Sequence, residues 1–287
     1  QEFDRLNSRA IQQLRLVAGR WPAFLANAYI ERAIGLGLEQ NAVESHRSLE
    51  EALHWAERVN DPAVLAPAYD QRGVELIDAG RLGDALDWLQ RAANFAAQAG
   101  DRRREVWALL RVSRIFRQLG QYEEARRRLE KVYQLKAGFN NAILEWSAAV
   151  DRVILLQDVG EFRQADAELR RLAGFLSQPN LSVARYCLVH LPVEQARMHL
   201  CLAENEEAGQ RLAEVLTTFV AQTPGGPLEA EVRMLLARLA QAEGNLAAAL
   251  TEARRSLSIY TSVQNPIWQA EALALLSQLH LLAGSES

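Results

Sequence analysis

The 287-residue chain has only 2 cysteines, 2 methionines and 8 prolines. Of its 32 basic residues only Lys131 and Lys136 are lysine. Each scarcity removes a class of protein. Cys187 and Cys201 cannot make a disulfide scaffold: on one helix, 14 residues apart, they stand about 21 Å from each other, whereas a disulfide needs α-carbons within about 7 Å. Two free thiols fit a reducing, cytoplasmic setting. No run approaches the roughly 18 apolar residues of a membrane span, and no leader-like segment opens the chain. It begins with Gln rather than Met, which reads as a fragment of something longer. The phosphate-binding glycine loop, the nucleophile elbow, the paired-histidine zinc helix and the CxxC pair are all missing. The expectation is therefore a non-catalytic protein with no cofactor and no metal site. A formal net charge of −4 argues against a nucleic-acid-binding surface. The triplet Arg126–Arg128 is expected to pair with Glu123, Glu124 and Glu130 as a solvated helix face.

Alanine and leucine are abundant, 46 and 44 residues. Both favour helix, and β-branched residues are few, so the composition leans all-α. The 24% of charged residues is ordinary for a globular chain and excludes disorder.

Periodicity organises the rest. Glycines close helix-like stretches at Gly80, Gly120, Gly160, Gly244 and Gly284, with Ala203 inside the one long step. Each but Gly284 is followed, five residues on, by an alanine; with an earlier copy the series is Ala52, Ala85, Ala125, Ala165, Ala208 and Ala249. Four residues later come Leu89, Leu129, Leu169, Leu212 and Ala253. A glycine taking the left-handed conformation stops a first helix, and a second starts within a few residues, so each unit is an antiparallel hairpin. Small residues twelve before the alanines (Gly73, Ser113, Val153, Ala196, Ala237, Ser277) are expected to face them. Breakers at Asp61-Pro62, Gly100-Asp101, Gly138 to Asn141, Gln178 to Asn180, Thr223 to Pro227 and Asn265-Pro266 separate the hairpins. Pro192 falls within a first helix, where a kink or a restart near Leu191 is expected. One hairpin cannot bury its apolar stripe alone, so hairpins must stack.

A Gly, an aromatic two later and an Ala three further, repeated in helix pairs, resembles the tetratricopeptide repeat. The period here is mostly 40 to 43 rather than 34, and in that it resembles the superhelical region of MalT-like bacterial regulators. The resemblance implies an all-α, right-handed superhelical solenoid of stacked antiparallel helix pairs. The expected organisation is a single continuous array: an N-terminal helix over 1–20; repeats over 22–60, 64–100, 102–140, 142–180, 181–224 and 227–264; and a truncated half repeat over 266–287. It also implies that first helices line a concave groove where partners bind.

Aligned on the turn alanine, groove positions fall 18, 15, 11 and 8 residues earlier. They select Asp70, Val74, Trp107, Arg114, Arg117, Gln157, His190, Arg197, Arg238 and Gln241 as the candidate partner-binding set. Arginines with Trp107, the one aromatic expected in the groove, would grip a carboxylate, a peptide terminus or a stacked sugar; the alternative is pairing with Asp70, Asp78, Asp158 and Glu194. His190 and Glu194 are four apart and expected as a helix-surface pair. The other tryptophans (Trp55, Trp88, Trp146, Trp268) are expected to pack between repeats. The expected partner is a protein or peptide. A small-molecule effector such as an oligosaccharide is the alternative that the MalT-like resemblance implies. Neither nucleic acid nor a membrane is expected as a partner. Leu276, Leu279 and Leu282 of the half repeat are expected to present an uncovered apolar face, open to self-association or to a following repeat.

Overall fold

Six of the helix stops share one piece of backbone chemistry. Gly80, Gly120, Gly160 and Gly244 take φ of 72°, 72°, 81° and 77°, Gly100 takes 72°, and Ala203 takes 60°. At each, two amides turn back onto the last turn of the helix. At the first stop Gly80 N–H reaches Ile77 O at 2.9 Å and Arg81 N–H reaches Leu76 O at 2.8 Å. The same pair recurs as Ala203 to Leu200 at 3.2 Å and Glu204 to His199 at 2.9 Å. This double closure satisfies carbonyls the helix would otherwise leave open. Gly284 differs from the expectation: it lies inside the last helix, which runs on to Ser285.

The structure is a computed structural model and describes residues 2–16, 20–38, 41–178, 181–222, 224–263 and 266–285. Among these residues there are fourteen α-helices and no strand. They are α1 (Glu2–Leu16), α2 (Pro22–Leu38), α3 (Ala42–Val59), α4 (Pro62–Asp78), α5 (Leu82–Gln98), α6 (Arg102–Gln118), α7 (Tyr122–Leu135), α8 (Ala142–Asp158), α9 (Phe162–Leu176), α10 (Arg185–Cys201), α11 (Asn205–Thr218), α12 (Pro227–Ala242), α13 (Leu246–Ser262) and α14 (Pro266–Ser285). The chain divides into two compact units, Gln1–Phe139 and Asn140–Ser287, holding α1–α7 and α8–α14. Within each, consecutive helices pack as hairpins. Parts of the expected breakers, at Pro179, Asn180, Thr223 and Asn265, lie outside the described residues, as do residues 17–19 of the expected first helix.

Several helices begin on a side-chain cap. Asp61, Asp101, Asn141 and Asn245 accept backbone N–H groups of Ala63, Arg104, Leu144 and Ala248. Such caps supply acceptors for otherwise unsatisfied donors. The second helices α5, α7, α9 and α11 have no side-chain cap. They start instead directly out of the closed turns.

The turn alanines lie in the core. Ala52, Ala85, Ala125, Ala165, Ala208 and Ala249 are all fully buried. Leu89, Leu129, Leu169 and Leu212, one turn further on, are buried too. The small residues twelve earlier meet this second helix in two ways. The Ser113 hydroxyl donates to Ala125 O at 3.0 Å, as expected. Gly73 makes room for Leu89 rather than for Ala85. Ser277 is exposed.

Of the outcomes expected at Pro192 the restart is not found, and the open face expected on α14 is corrected. α10 runs unbroken through Pro192, which is buried, so the helix does not restart at Leu191. Proline has no amide to donate, and packing carries the helix through the lost bond. Leu276 and Leu279 do not form an open face: they are buried in the core of α12–α14 with Ala249, Ala253 and Tyr260. The helix turns those two inward against α13. Leu282 is exposed, and the other exposed leucines of α14 are Leu273 and Leu281.

Both cysteines lie on α10 and are free thiols, Cys187 buried and Cys201 exposed. Among the described residues no helix is long and apolar enough to cross a membrane, and no group of His, Cys, Asp and Glu is arranged to hold a metal ion. In the Arg126–Arg128 triplet, Arg127 meets Glu124 at 2.6 Å and Arg128 meets it at 4.0 Å.

Candidate binding groove

A helix turns 100° per residue, so residues three, four, seven and eight apart share a face. On α8 this spacing places Trp146, Val150, Ile154 and Gln157 in one stripe. On α10 it places Tyr186, His190, Glu194 and Arg197, and on α12 Pro227, Glu231, Leu235 and Arg238. All twelve line one cavity of 670 Å³ in the second unit, with Leu228, Met234, Tyr260, Trp268 and Glu271. The stripes also align between helices. Trp146, Tyr186, Pro227 and Trp268 follow one another at 40 or 41 residues, as do Val150, His190 and Glu231, then Ile154, Glu194 and Leu235, then Gln157, Arg197 and Arg238. First helices supply every lining residue except Tyr260.

The charged side chains of the groove meet at Arg197. Arg197 bridges two helices: its Nε lies 3.4 Å from Glu194 of its own helix, and its Nη2 lies 2.6 Å from Glu231 on α12. Burial raises the carboxyls of Glu194 and Glu231 above their ordinary values. Arg197 opposes that rise; Glu231 adds to it for Glu194, and Glu271 adds to it for Glu231. His190 Nδ1 is 3.8 Å from Glu231 Oε2, and burial holds the imidazole below its usual value, toward the neutral form. His190 lines the groove as expected, and Glu194, four residues on and in electrostatic contact with it, lines it too rather than lying on the helix surface. Burial, with Glu231 and Glu271 nearby, pushes the Tyr260 hydroxyl up to about 12.

Aromatic rings wall the end near the helix starts. Trp146 meets Tyr186 edge-on at 5.9 Å, Tyr186 lies 4.2 Å from His190, and Tyr260 lies 5.4 Å from Trp268. Trp107 is therefore not the only groove aromatic, contrary to the sequence expectation. Trp146 is buried as expected of a packing residue, but its ring also faces the cavity.

The first unit has a smaller cavity of 570 Å³, lined by Asp70, Asp101, Arg103, Arg104, Trp107 and Arg111. Arg111 Nη1 donates to both carboxylate oxygens of Asp70, at 2.9 and 3.1 Å. Burial raises the Asp70 carboxyl, with Arg111 opposing.

The expected site residues thus separate into three groups. Gln157, His190, Arg197 and Arg238 come together in the second unit. Asp70 and Trp107 come together in the first. Val74, Arg114, Arg117 and Gln241 line neither cavity. Arg111 and Glu194, both fourteen before a turn alanine, were missed. The expected position, fifteen before, holds Leu110 and Val193 on these helices, and both are fully buried. One residue is 100° of helix rotation, enough to exchange core for groove. The aromatic row of Trp146, Tyr186 and Trp268 was legible at its 40- and 41-residue spacing.

Stacked helix pairs presenting a lined groove define a helical-repeat protein. Residues 64–137, covering α4–α7 but for its first two residues, match the tetratricopeptide repeat family, and the chain has a tetratricopeptide-like helical-repeat fold. Among solved structures it is similar to a signal transduction ATPase with numerous domains and a tetratricopeptide repeat sensor from Pyrococcus horikoshii (TM-score 0.68, 16% identity, 96% of this chain and 42% of that one). It is similar also to the Cut9–Hcn1 assembly of the APC/C (TM-score 0.65, 16% identity, 96% and 46%). A third is aspartyl phosphate phosphatase F from Bacillus subtilis (TM-score 0.64, 12% identity, 93% and 74%). The chain spans less than half the length of the first two. No curated protein matches it in sequence.

Proposed function

We propose that the chain is a non-catalytic binding module, part of a larger signalling or regulatory protein, whose second-unit groove takes an extended peptide segment of a protein partner. One observation carries this reading: four successive first helices contribute aligned rows of side chains to a single groove. A row spacing that follows the repeat suits a ligand with its own repeat along its length, which an extended peptide has. The test is hydrogen exchange on the intact chain with and without a mixture of capped nonapeptides of basic, neutral and acidic composition. Protection gathered on α8, α10, α12 and α14 is the expected result. Protection elsewhere, or none at millimolar peptide, refutes it.

The clustered aromatics favour a second reading, a sensor for a small molecule such as an oligosaccharide, stacked on Tyr186 and Trp268. The likeness to an ATPase with a tetratricopeptide repeat sensor supports it. A thermal-shift series with oligosaccharides that leaves the melting temperature unmoved excludes that alternative.

A further inference from the structure

The second-unit groove has uneven charge along its length. At the end near the helix starts, Glu231 and Glu271 stand beside the Tyr260–Trp268 pair and the Trp146–Tyr186–His190 group. Arg238 lies seven residues beyond Glu231 on α12, about 10 Å along the axis. Between them Arg197 is held by Glu194 and Glu231 together. The groove therefore holds three carboxylates against two guanidiniums, one of them already shared between Glu194 and Glu231, and burial holds the His190 imidazole toward its neutral form.

Aromatic faces carry negative potential, so rings beside carboxylates make a receptor for an organic cation. Two of these rings are held partly in solvent, Tyr186 at 59% and Trp268 at 37% exposure. Rings left exposed over a cavity lose contact area that a ligand restores. Further along the groove the side-chain nitrogen of Gln157 is buried with no hydrogen-bond partner. It is a donor without an acceptor, a costly arrangement, and a peptide carbonyl supplies what it lacks.

From this placement we infer that the groove selects a basic peptide segment: an arginine or lysine side chain enters between Glu231, Glu271, Trp268 and Tyr186, and a carbonyl of the same segment accepts from Gln157. The inference rests on the peptide reading above and narrows it to one charge class. The cation replaces the missing countercharge and stacks on the rings.

Three nonapeptide mixtures, neutral except for a central Arg, Glu or Ala and capped at both ends, distinguish the cases by equilibrium dialysis against the intact chain. The Arg-centred mixture should be retained about tenfold better than the Glu-centred one, the scale of a desolvated cation on rings and carboxylates. Tyr186→Ala, at an exposed site, and the double change Glu231→Gln with Glu271→Gln should bring that ratio below about twofold with the helical circular dichroism unchanged. Equal retention of all three mixtures overturns the charge preference and leaves the peptide reading standing. No retention of any mixture overturns both. Free L-arginine or spermidine binding as tightly as the Arg-centred peptides would show that the cation is a small molecule, and would overturn the peptide occupant.

Discussion

Gly73 of α4 and Leu89 of α5 occupy one shared volume: a β-carbon at position 73 would lie 2.4 Å from Leu89 Cγ and 2.6 Å from Leu89 Cδ2. The leucine fills the space the glycine leaves. Gly73→Ala gains helix propensity worth roughly 1 kcal/mol, but forcing carbon into that volume costs about 1–3 kcal/mol. Net destabilisation is expected in urea unfolding. Combining it with Leu89→Ala should cost less than the sum of the two single changes. Additivity of the pair would contradict the shared volume.

Ala203 is the alanine among glycines, holding φ 60° in the same closed turn as Gly80 and Gly160. A side chain in this conformation costs about 1–2 kcal/mol. Ala203→Gly is expected to raise stability by about 1 kcal/mol, and Gly120→Ala to lower it by a similar amount. A melting temperature that falls for Ala203→Gly would show that the strain lies elsewhere.

Asp101 accepts from Arg104 N–H at 2.9 Å and opens α6. Asp101→Ala should cost about 1 kcal/mol, while Asp101→Asn, which keeps the acceptor, should cost much less. Equal losses for both would point to the charge, not to the cap.

Burial raises the Glu194 carboxyl above its ordinary 4.5, with Arg197 opposing. The folded state then holds this proton more tightly than the unfolded state. Its contribution is fully present below pH 4.5 and is lost as pH rises through the raised folded value. His190 has the opposite sign, since burial lowers it, so the comparison must be with a variant that keeps it. The stability of the native chain relative to Glu194→Gln should fall as pH rises above 4.5, read by urea unfolding at stepped pH. A flat difference would mean that burial does not govern this carboxyl.

Hairpin positions were legible because the turn alanines and the leucines after them answer a single local demand, close helix approach, which admits few residue types. Ala165 and Leu169 show it: both are buried where the pattern placed them. The groove was legible only in part. Its members differ from helix to helix, and an alignment error of one residue sends Val193 rather than Glu194 into the cavity. Contacts across helices were not legible either. Nothing in the pattern joins Arg197 to Glu231, 34 residues away, or brings Tyr260 of a second helix to the groove wall.

The closed turns also say something about how the repeat spends its sequence. Each reversal is made by backbone amides folding onto carbonyls around one left-handed residue. The neighbours of that residue read Arg-Leu-Gly-Asp at 81–84, Gln-Tyr-Glu-Glu at 121–124 and Glu-Phe-Arg-Gln at 161–164. Architecture therefore fixes few of the roughly forty positions in a unit. The remainder can drift in chemistry without losing the stack, which is how one hairpin plan carries arginines in one cavity and an acid-and-aromatic wall in another.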